Sequence, residues 1–429
     1  MSSHDSISKR VRGEMTITKI RKSCVLVFVA AAAFAQSAPA SLQSLIAEAR
    51  QNNAAITSAE SAIQTKRYMP KQAAALPDTE VMVQHFAVGS PRPFARYSNS
   101  DFAYIGFGAS QEIPYPGKRG LRANVAQHDV AISGAEKNSA VWSVLARLKL
   151  AYFQLAASQS IISVLEKSQQ IADQIEQGAE ARYRVGQGMQ QDVLRAQLER
   201  TKLLNELLMQ RRESAQAQAV LKALLNRPAE SPDIIAEPLS ARHIPSYDAL
   251  IAKLREHNPE LQVSAEQISQ QHAAVELAKR EKKPDFGVQY MWQHTADNFR
   301  DYYMGTFSIK LPNRSRVRAA EGEAQAKVAQ AEAEKESRLK QMESDLGEQL
   351  ATVQTSEQQL KVYEEGLLPQ SEAALNAGLA GYGAGKQEYQ GLLASFADTL
   401  QLSIDRERML AEHEAAIARI EGLIGEELQ

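Results

Sequence analysis

Arg182-Tyr183-Arg184-Val185-Gly186-Gln187-Gly188-Met189-Gln190-Gln191-Asp192-Val193-Leu194 has a counterpart 199 residues farther along the chain, Gly381-Tyr382-Gly383-Ala384-Gly385-Lys386-Gln387-Glu388-Tyr389-Gln390-Gly391-Leu392-Leu393. Tyr183 matches Tyr382, Gly186 matches Gly385, Gln191 matches Gln390, and Val193-Leu194 matches Leu392-Leu393. Self-similarity at a fixed spacing marks a duplicated architecture. The duplication continues upstream, where Pro77-Asp78-x-x-Val81 aligns with Pro284-Asp285-x-x-Val288, and Asn53, Ile56 and Ile63 align with Asn258, Leu261 and Ile268. The chain therefore reads as two structural repeats, 36–226 and 247–429. Between them, 227–246 is a linker punctuated by Pro228, Pro232, Pro238 and Pro245.

Each quoted stretch interrupts a very long helical region, 118–226 in the first repeat and 314–426 in the second. The first region contains no proline and the second only Pro369. Glycine-bearing breaks at Tyr183–Gly188 and Gly378–Gly385 make each region a helical hairpin. Arms of roughly 40 to 65 residues would reach roughly 60 to 100 Å at the α-helical rise. Phe396, Ser403, Leu410, Ile417 and Ile424 recur every seven residues, as a packing seam does. Ala319, Ala320, Ala324, Ala326, Ala329, Ala331 and Ala333 supply a small-residue face, and Gln, Glu, Lys and Arg fill the rest as solvated surface.

Ahead of each hairpin comes a helical stretch, 41–74 or 247–281, followed by a strand pair. In the second repeat Phe286, Val288, Tyr290 and Trp292 alternate with Gly287, Gln289, Met291 and Gln293. Tyr303, Phe307, Ile309 and Leu311 likewise alternate with Met304, Thr306, Ser308 and Lys310. The first pair, within 78–113, repeats the pattern less cleanly, with Val81 and Val83 near His85, then Ala103, Ile105 and Phe107 against Phe102, Tyr104, Gly106 and Gly108. Period-two alternation predicts strands with one apolar and one wet face. Runs of about ten residues suit a tilted membrane strand. A soluble sandwich strand has the same pattern, so alternation alone leaves both open. Four membrane strands cannot close a barrel, and an open edge in lipid leaves backbone groups unpaired, so a membrane sheet here requires several chains.

Lys19, Arg21 and Lys22 precede an apolar run from Cys24 to Ala35 that ends in Ala33-Phe34-Ala35, which predicts residues 1–35 to be a signal peptide cleaved after Ala35. The run is shorter than the roughly 20 residues of a spanning helix. Translation starts at Met1 or Met15. The full chain has a formal charge of −2, and removal of the leader brings it to about −6. A nucleic-acid partner is not expected from such a balance. Cys24 is the only cysteine and stands at the start of the apolar run rather than after it, which excludes lipidation, disulfides and thiolate metal sites in the mature chain.

The stretch Arg182 to Ala196 resembles the hairpin-tip motif of TolC-like outer-membrane efflux proteins. Gln111-Glu112-Ile113-Pro114-Tyr115-Pro116-Gly117-Lys118-Arg119-Gly120 resembles the strand-to-helix passage of the family's heavy-metal (CzcC/CusC-like) branch, which serves resistance-nodulation-division pumps. The resemblance implies a mainly α fold with a small β part. It further implies a homotrimer whose twelve-stranded outer-membrane β-barrel, four strands per chain, continues as a periplasmic α-helical barrel. The partners implied are a periplasmic adaptor (membrane fusion protein), an inner-membrane resistance-nodulation-division pump and outer-membrane lipid. Arg182, Tyr183, Val185, Gly186, Gln187, Gly188, Tyr382, Gly385, Lys386 and Gln387 are implied to be the adaptor-docking tips. The second repeat departs from the family pattern: Gly391 and Ala394 stand where some members carry a ring of acidic residues. Lys386, Gln387 and Glu388 then either line the tunnel mouth or form a solvated face.

No catalytic residue, cofactor or metal is expected. His85, His128, His243, His257, His272, His294 and His413 lack metal-ligand spacing, and no nucleophile elbow, phosphate loop or dinucleotide fingerprint is present. His85 and His294 occupy similar places in the two strand pairs, as lumen or rim residues or as plain polar strand positions. Trp292 with Tyr302 and Tyr303 suits either an aromatic belt at a bilayer edge or ordinary sheet packing. The expected function is a passive outer-membrane export channel, with heavy-metal cations among its possible cargo. An exported structural coiled-coil protein is the alternative. A periplasmic adaptor fits less well, having a single hairpin within β-rich segments.

Overall fold

The computed structural model describes residues 39–86, 103–295 and 301–428. The expected leader and its cleavage point lie outside the described residues. In chain order the elements are α1 (Leu42–Asn52), α2 (Ala54–Lys66), α3 (Met69–Ala74), β1 (Glu80–Phe86), β2 (Tyr104–Ile113), α4 (Lys118–Arg184) and α5 (Gln190–Leu224). After 225–246 the same succession returns as α6 (Tyr247–His257), α7 (Pro259–Arg280), β3 (Asp285–Thr295), β4 (Tyr302–Lys310), α8 (Arg314–Val362), a π-helical turn (Tyr363–Leu367), α9 (Leu368–Gly383) and α10 (Tyr389–Ile424). The fold is mainly α with one small antiparallel sheet.

The hairpin arms are unequal, as the positions of the glycine breaks imply. The rising arm α4 has 67 residues and the returning arm α5 only 35. In the second repeat α8, the π turn and α9 run nearly unbroken, whereas α10 has 36 residues. The rest of each long arm is covered by the helices that precede the strands, since α4 packs against α2 and α3 as well as α5, and α8 against α7 as well as α10. Two short helices stacked end to end thus match one long one. An asparagine makes each joint. Asn53 caps α2, accepting at Oδ1 from Ala55 and Ile56 N–H, while its amide donates to the Leu224 carbonyl at the end of α5. Asn258 caps α7 by accepting from Leu261 N–H and donates to the Leu423 carbonyl at the end of α10. Asparagine suits both roles because it carries an acceptor and a donor on one short side chain.

Pro369 does not break the rising arm. It has no N–H to return to residue 365, and the wider π turn just before it, in which Leu368 N–H bonds the Tyr363 carbonyl, absorbs the mismatch. Arg406 on α10 pairs with Glu364 across this turn at 2.7 Å.

Three apolar cores follow the helices. One joins α1, the middle of α4, the end of α5 and the linker. A second fills the hairpins toward their tips, and a third joins α6 and α8 to the second half of α10. Phe396, Leu410, Ile417 and Ile424 of the heptad are all buried. Among the described residues only α4 has a window apolar enough for a membrane span, and more than half of it is buried in these cores. Residues 227–246 carry no helix or strand, yet they are firmly held. Gln218 and Gln159 both bond the Ile234 carbonyl, and Arg242 meets buried Glu414 at 2.6 Å and buried Glu421 at 3.1 Å, where Lys149 of α4 also pairs with Glu421 at 2.7 Å.

The sheet runs β1-β2-β3-β4, all antiparallel, with β1 and β4 as its edges. Register sorts its faces, apart from Gln111 on the apolar side and a Phe86–Tyr104 stack on the polar side at the loop end. Val81, Val83, Ile105, Phe107, Phe286, Val288, Tyr290, Trp292, Tyr303, Phe307 and Ile309 share one face, and Glu80, Gln84, Ser110, Glu112, Gln289, Gln293, Thr306, Ser308 and Lys310 share the other. The apolar face is layered with aromatic stacks, Phe107 on Trp292 and Phe286 on Phe307 among them. Two expectations change here. Tyr302 pairs with Gln293 on the polar face, so only Trp292 and Tyr303 join in an aromatic patch; His85 and His294 flank Ile105 on the apolar face near the loop end, which removes the lumen reading and keeps the rim.

Between sheet and helices, Gly117 turns the chain at φ 93°, and Lys118 at the head of α4 is 1% exposed. Its ammonium lies 3.0 Å from both Glu281 and Asp285, while Tyr115 N–H donates to the Asp285 carboxylate at 2.7 Å. Arg280 covers the Tyr115 ring and donates to the Pro116 carbonyl. This Pro-Tyr-Pro-Gly-Lys passage fastens β2 and α4 of one repeat to α7 and β3 of the other.

Candidate functional site

The two hairpin tips lie together at the end opposite the sheet. Each is closed by the same capping arrangement. In the first, Gly186 at φ 74° donates to the Tyr183 carbonyl at 3.0 Å and Gln187 N–H to the Arg182 carbonyl at 2.9 Å. In the second, Gly385 at φ 73° donates to Tyr382 at 3.1 Å and Lys386 N–H to Gly381 at 2.9 Å. These paired bonds satisfy the last carbonyls of the rising helix and need a left-handed residue, which only glycine supplies without strain. The stretch repeated at Arg182–Leu194 and Gly381–Leu393 is therefore a duplicated Schellman cap.

The break expected from Gly378 onward begins later. Helix α9 continues through Gly378, Gly381 and Gly383, and the first two make room for packing rather than for a turn. A Cβ at Gly381 would stand 3.1 Å from Gln387 Oε1, one at Gly391 3.0 Å from Gln387 Nε2, and one at Gly378 3.3 Å from Leu392. Gln387 folds back over this glycine floor and is half-buried, while Lys386 and Glu388 stay exposed.

Arg182 ties the tips to one another. Its Nη1 donates to the Tyr382 carbonyl at 2.6 Å, its Nη2 to the Gln187 carbonyl at 3.4 Å, and its guanidinium sits 4.9 Å from the Tyr382 ring centre. Tyr382 and Tyr389 are both buried, with rings edge to face at 5.8 Å, and both hydroxyls are buried without a hydrogen-bond partner. Burial raises both phenols above their ordinary range, Tyr389 the more strongly, and Asp192 adds to each shift while Arg182 opposes that of Tyr382. Between the tips lies a groove of about 640 Å³ whose walls include Arg182, Gln187, Asp192, Arg195, Lys386 and Gln387. On the outer side of the first tip Tyr183, Val185 and Met189 are exposed, the last two by 66% and 68%.

The structure thus brings the ten expected tip residues to one end. Arg182, Gly186, Gln187, Gly188, Gly385, Lys386 and Gln387 line the shared groove, Tyr183 and Val185 face outward, and Tyr382 is a buried prop. Asp192 and Tyr389 escaped the sequence reading. The seven-residue interval from Tyr382 to Tyr389 across the turn was the available signal. Among the described residues no group of histidine and carboxylate side chains could hold a metal ion.

The sequence profile of the outer membrane efflux protein family matches residues 45–227 and 250–422. The chain belongs to the outer membrane efflux protein family. The two matched stretches fall on either side of the linker, each covering one helix, strand pair and hairpin. No curated protein matches the sequence. Solved structures do match in fold. MtrE, an outer membrane channel of Neisseria gonorrhoeae in its open state, is 18% identical with a TM-score of 0.73, over 90% of this chain and 89% of that one. VceC, an outer membrane protein of Vibrio cholerae, is 16% identical with a TM-score of 0.73, over 90% and 97%. CusC, described as forming a transmembrane channel, is 14% identical with a TM-score of 0.74, over 90% and 92%. Membership in this family accords with a conduit rather than an enzyme.

Proposed function

We propose that this efflux-family chain is the outer-membrane channel of a tripartite pump assembly, a passive duct for cargo delivered from the inner membrane. The observation that carries the reading is the sheet. Its apolar aromatic face is exposed, with Val81, Tyr303 and Phe307 all open, while its opposite face is polar and both edges are unpaired. Lipid suits the first face and water the second, and edges in lipid must be paired by further copies of the same sheet. Three copies supply twelve strands. Both strand pairs return to the side where the helices begin, so the helices of all copies continue the barrel as a tube into the periplasm. A cleaved leader, residues 1–35, would deliver the chain there.

The tips at the far end of that tube are the docking surface for a periplasmic adaptor, with the inter-tip groove and the exposed Tyr183, Val185 and Met189 as the contact. Apolar side chains on a turn far from any core are what a partner's hairpin would cover. Heavy-metal cations are the cargo class proposed, on the strength of the Gln111–Gly120 passage.

Planar-bilayer conductance of the detergent-purified protein, with its oligomeric mass measured in parallel, tests the channel. Stable unitary steps from a trimer are expected. A non-conducting soluble monomer or dimer would refute it.

A further inference from the structure

Within one chain the first repeat meets the second along a seam, α4 against α7 and α10, and β2 against β3. The duplication equates α4 with α8, β2 with β4, β3 with β1, and α7 with the α2–α3 pair. These counterparts are the flanks of the chain. β1 and β4 are the edges of the sheet, and α8 packs on α6, α7 and α10, none of them from the first repeat. A ring of identical chains closes when the second repeat of one copy meets the first repeat of the next, and the seam inside the chain is a template for that contact.

The seam is fastened where sheet passes into helix. Helix α4 opens on Lys118 with no acidic residue in its first turn, where the helix dipole disfavours a cation, and Asp285 at the start of β3 supplies the carboxylate at 3.0 Å. Helix α8 opens in the same way, on Arg314 with no acidic residue in its first turn. Arg314, Arg316 and Arg318 are exposed, and none of their side chains has a partner among the described residues. The counterpart of Asp285 is Asp78, which follows Pro77 as Asp285 follows Pro284. Asp78 is also exposed and without a partner among the described residues. A free cation and a free carboxylate thus stand on the two flanks of the chain, at the places of a pair that is joined inside it.

The strand edges match in the same way. Val81 and Val288 correspond, so their hairpin partners Ala109 and Phe307 correspond, and with them Gln111 and Ile309. Val288 faces Gln111 across β2 and β3, which puts Val81 opposite Ile309 of the next copy. The same register sets exposed Val83 opposite exposed Phe307, and Glu80 opposite Lys310. Apolar then meets apolar on one face and opposite charges meet on the other, as stable cross-strand pairs require. A slip of one residue would lose both matches.

We propose that Arg314 of one copy pairs with Asp78 of the next, and that β4 joins β1 of that copy in the register Lys310 to Glu80. The contact is the counterpart between copies of the tie that Lys118 and Asp285 make within the chain. Lys310 already holds Glu112 at 2.7 Å, so Glu80 of the next copy would complete a layer of two carboxylates around one ammonium at the helix end of the sheet. This deepens the proposed channel, and it rests on that reading only in taking the assembly to be a closed ring.

Two sets of variants of the full chain, on a Cys24→Ser background, test it. Glu80→Cys/Lys310→Cys should give covalent dimers and trimers on mild oxidation. Residues directly opposite in antiparallel strands have Cα atoms about 4.5 to 5.5 Å apart, within disulfide reach, whereas Glu80 and Lys310 of one chain are separated by three strand spacings, about 14 Å, and cannot be bridged. Glu80→Cys/Ile309→Cys, with its thiols on opposite faces, should stay uncrosslinked. Asp78→Arg and Arg314→Asp should each lower the temperature at which the oligomer dissociates on gels, and the double swap Asp78→Arg/Arg314→Asp should regain most of that loss. Cross-linking of the shifted pair in place of the aligned one, or a double swap no more heat-resistant than the single variants, overturns the proposal. Oligomeric mass and conductance of the wild type read the channel separately: a conducting trimer whose aligned cysteines fail to cross-link sinks this contact alone, whereas a non-conducting monomer sinks the duct and the contact together.

Discussion

Replacement of Arg182 by alanine should unfasten the two hairpin tips without unfolding either. The side chain contributes one charge-assisted bond to the Tyr382 carbonyl at 2.6 Å, a longer one to the Gln187 carbonyl, and a cation–π contact with the Tyr382 ring. A hydrogen bond to a charged group is worth about 1.5 to 3 kcal/mol, and a partly exposed cation–π contact about 0.5 to 1. Arg182 is only half-buried, so the lower ends apply, and about 2 kcal/mol of coupling between the tips is at stake. That corresponds to about thirtyfold in the ratio of joined to separated tips. The cap of the first turn survives, because it is made by backbone bonds from Gly186 and Gln187. Single-channel recording should show a higher open fraction or larger unitary steps for Arg182→Ala. Arg182→Lys, which keeps the charge and loses the two-pronged reach, should fall between alanine and wild type. An unchanged record for Arg182→Ala, with oligomer and thermal stability intact, would refute the view that this arginine holds the tips together.

Lys118→Met should lower stability by about 3 kcal/mol, since it takes the buried cation from Asp285 and leaves Glu281 with Arg122 alone; heat-modifiability of the oligomer on gels reads the loss. Asn258→Ala removes both a helix cap and the tie to Leu423, and should cost about 1 to 2 kcal/mol in denaturant unfolding, with Asn258→Asp recovering the cap but not the tie. Tyr389→Phe should be neutral or stabilising by about 1 kcal/mol, as it deletes a buried hydroxyl that bonds nothing. The Tyr389 phenol is raised in the folded protein, so its neutral form is the one the fold accepts. Stability is full below the ordinary tyrosine value near pH 10 and falls as pH rises above it. Alkaline melting curves should therefore be flatter for Tyr389→Phe than for wild type.

Much of this architecture is legible in the sequence because its signals are local. Gly186 and Gly385 stand at corresponding points of a repeat, and a left-handed cap demands glycine wherever the rest of the chain goes. The strand alternation is equally local, and the structure gives Phe286 to Trp292 the faces it implies. What could not be read is whatever depends on partners far along the chain. Asn53 and Asn258 were visible as a matched pair, but their tie to α5 and α10 appears only when those helices are seen to end at Leu224 and Ile424. Gly378 and Gly381 looked like helix breakers for a related reason, since the side chain that needs their space, Gln387, approaches from beyond the turn. The lateral order of the strands is the same kind of fact: Gly108 meets Met291 across the β2–β3 ladder although the two stand far apart in sequence.

The two repeats keep their likeness at the joints and the caps and differ along the rising arms and at the tips. Both joints use asparagine in the same two bonds, and both caps use glycine at nearly the same φ. The rising arms differ: α4 is continuous for its whole length, whereas the second arm carries a π turn ahead of Pro369, bridged by Arg406 and Glu364. The tips differ too, the first showing exposed apolar side chains and the second burying two tyrosines with unpaired hydroxyls beneath a glycine floor. A π turn costs regular hydrogen bonding, and an unpaired buried hydroxyl costs desolvation. Both costs fall on the second hairpin. Its tip is tied to the first by Arg182 and by the shared apolar core in which Ala179 and Leu203 join Tyr382, Tyr389 and Leu392, and those two holds are what offset the costs.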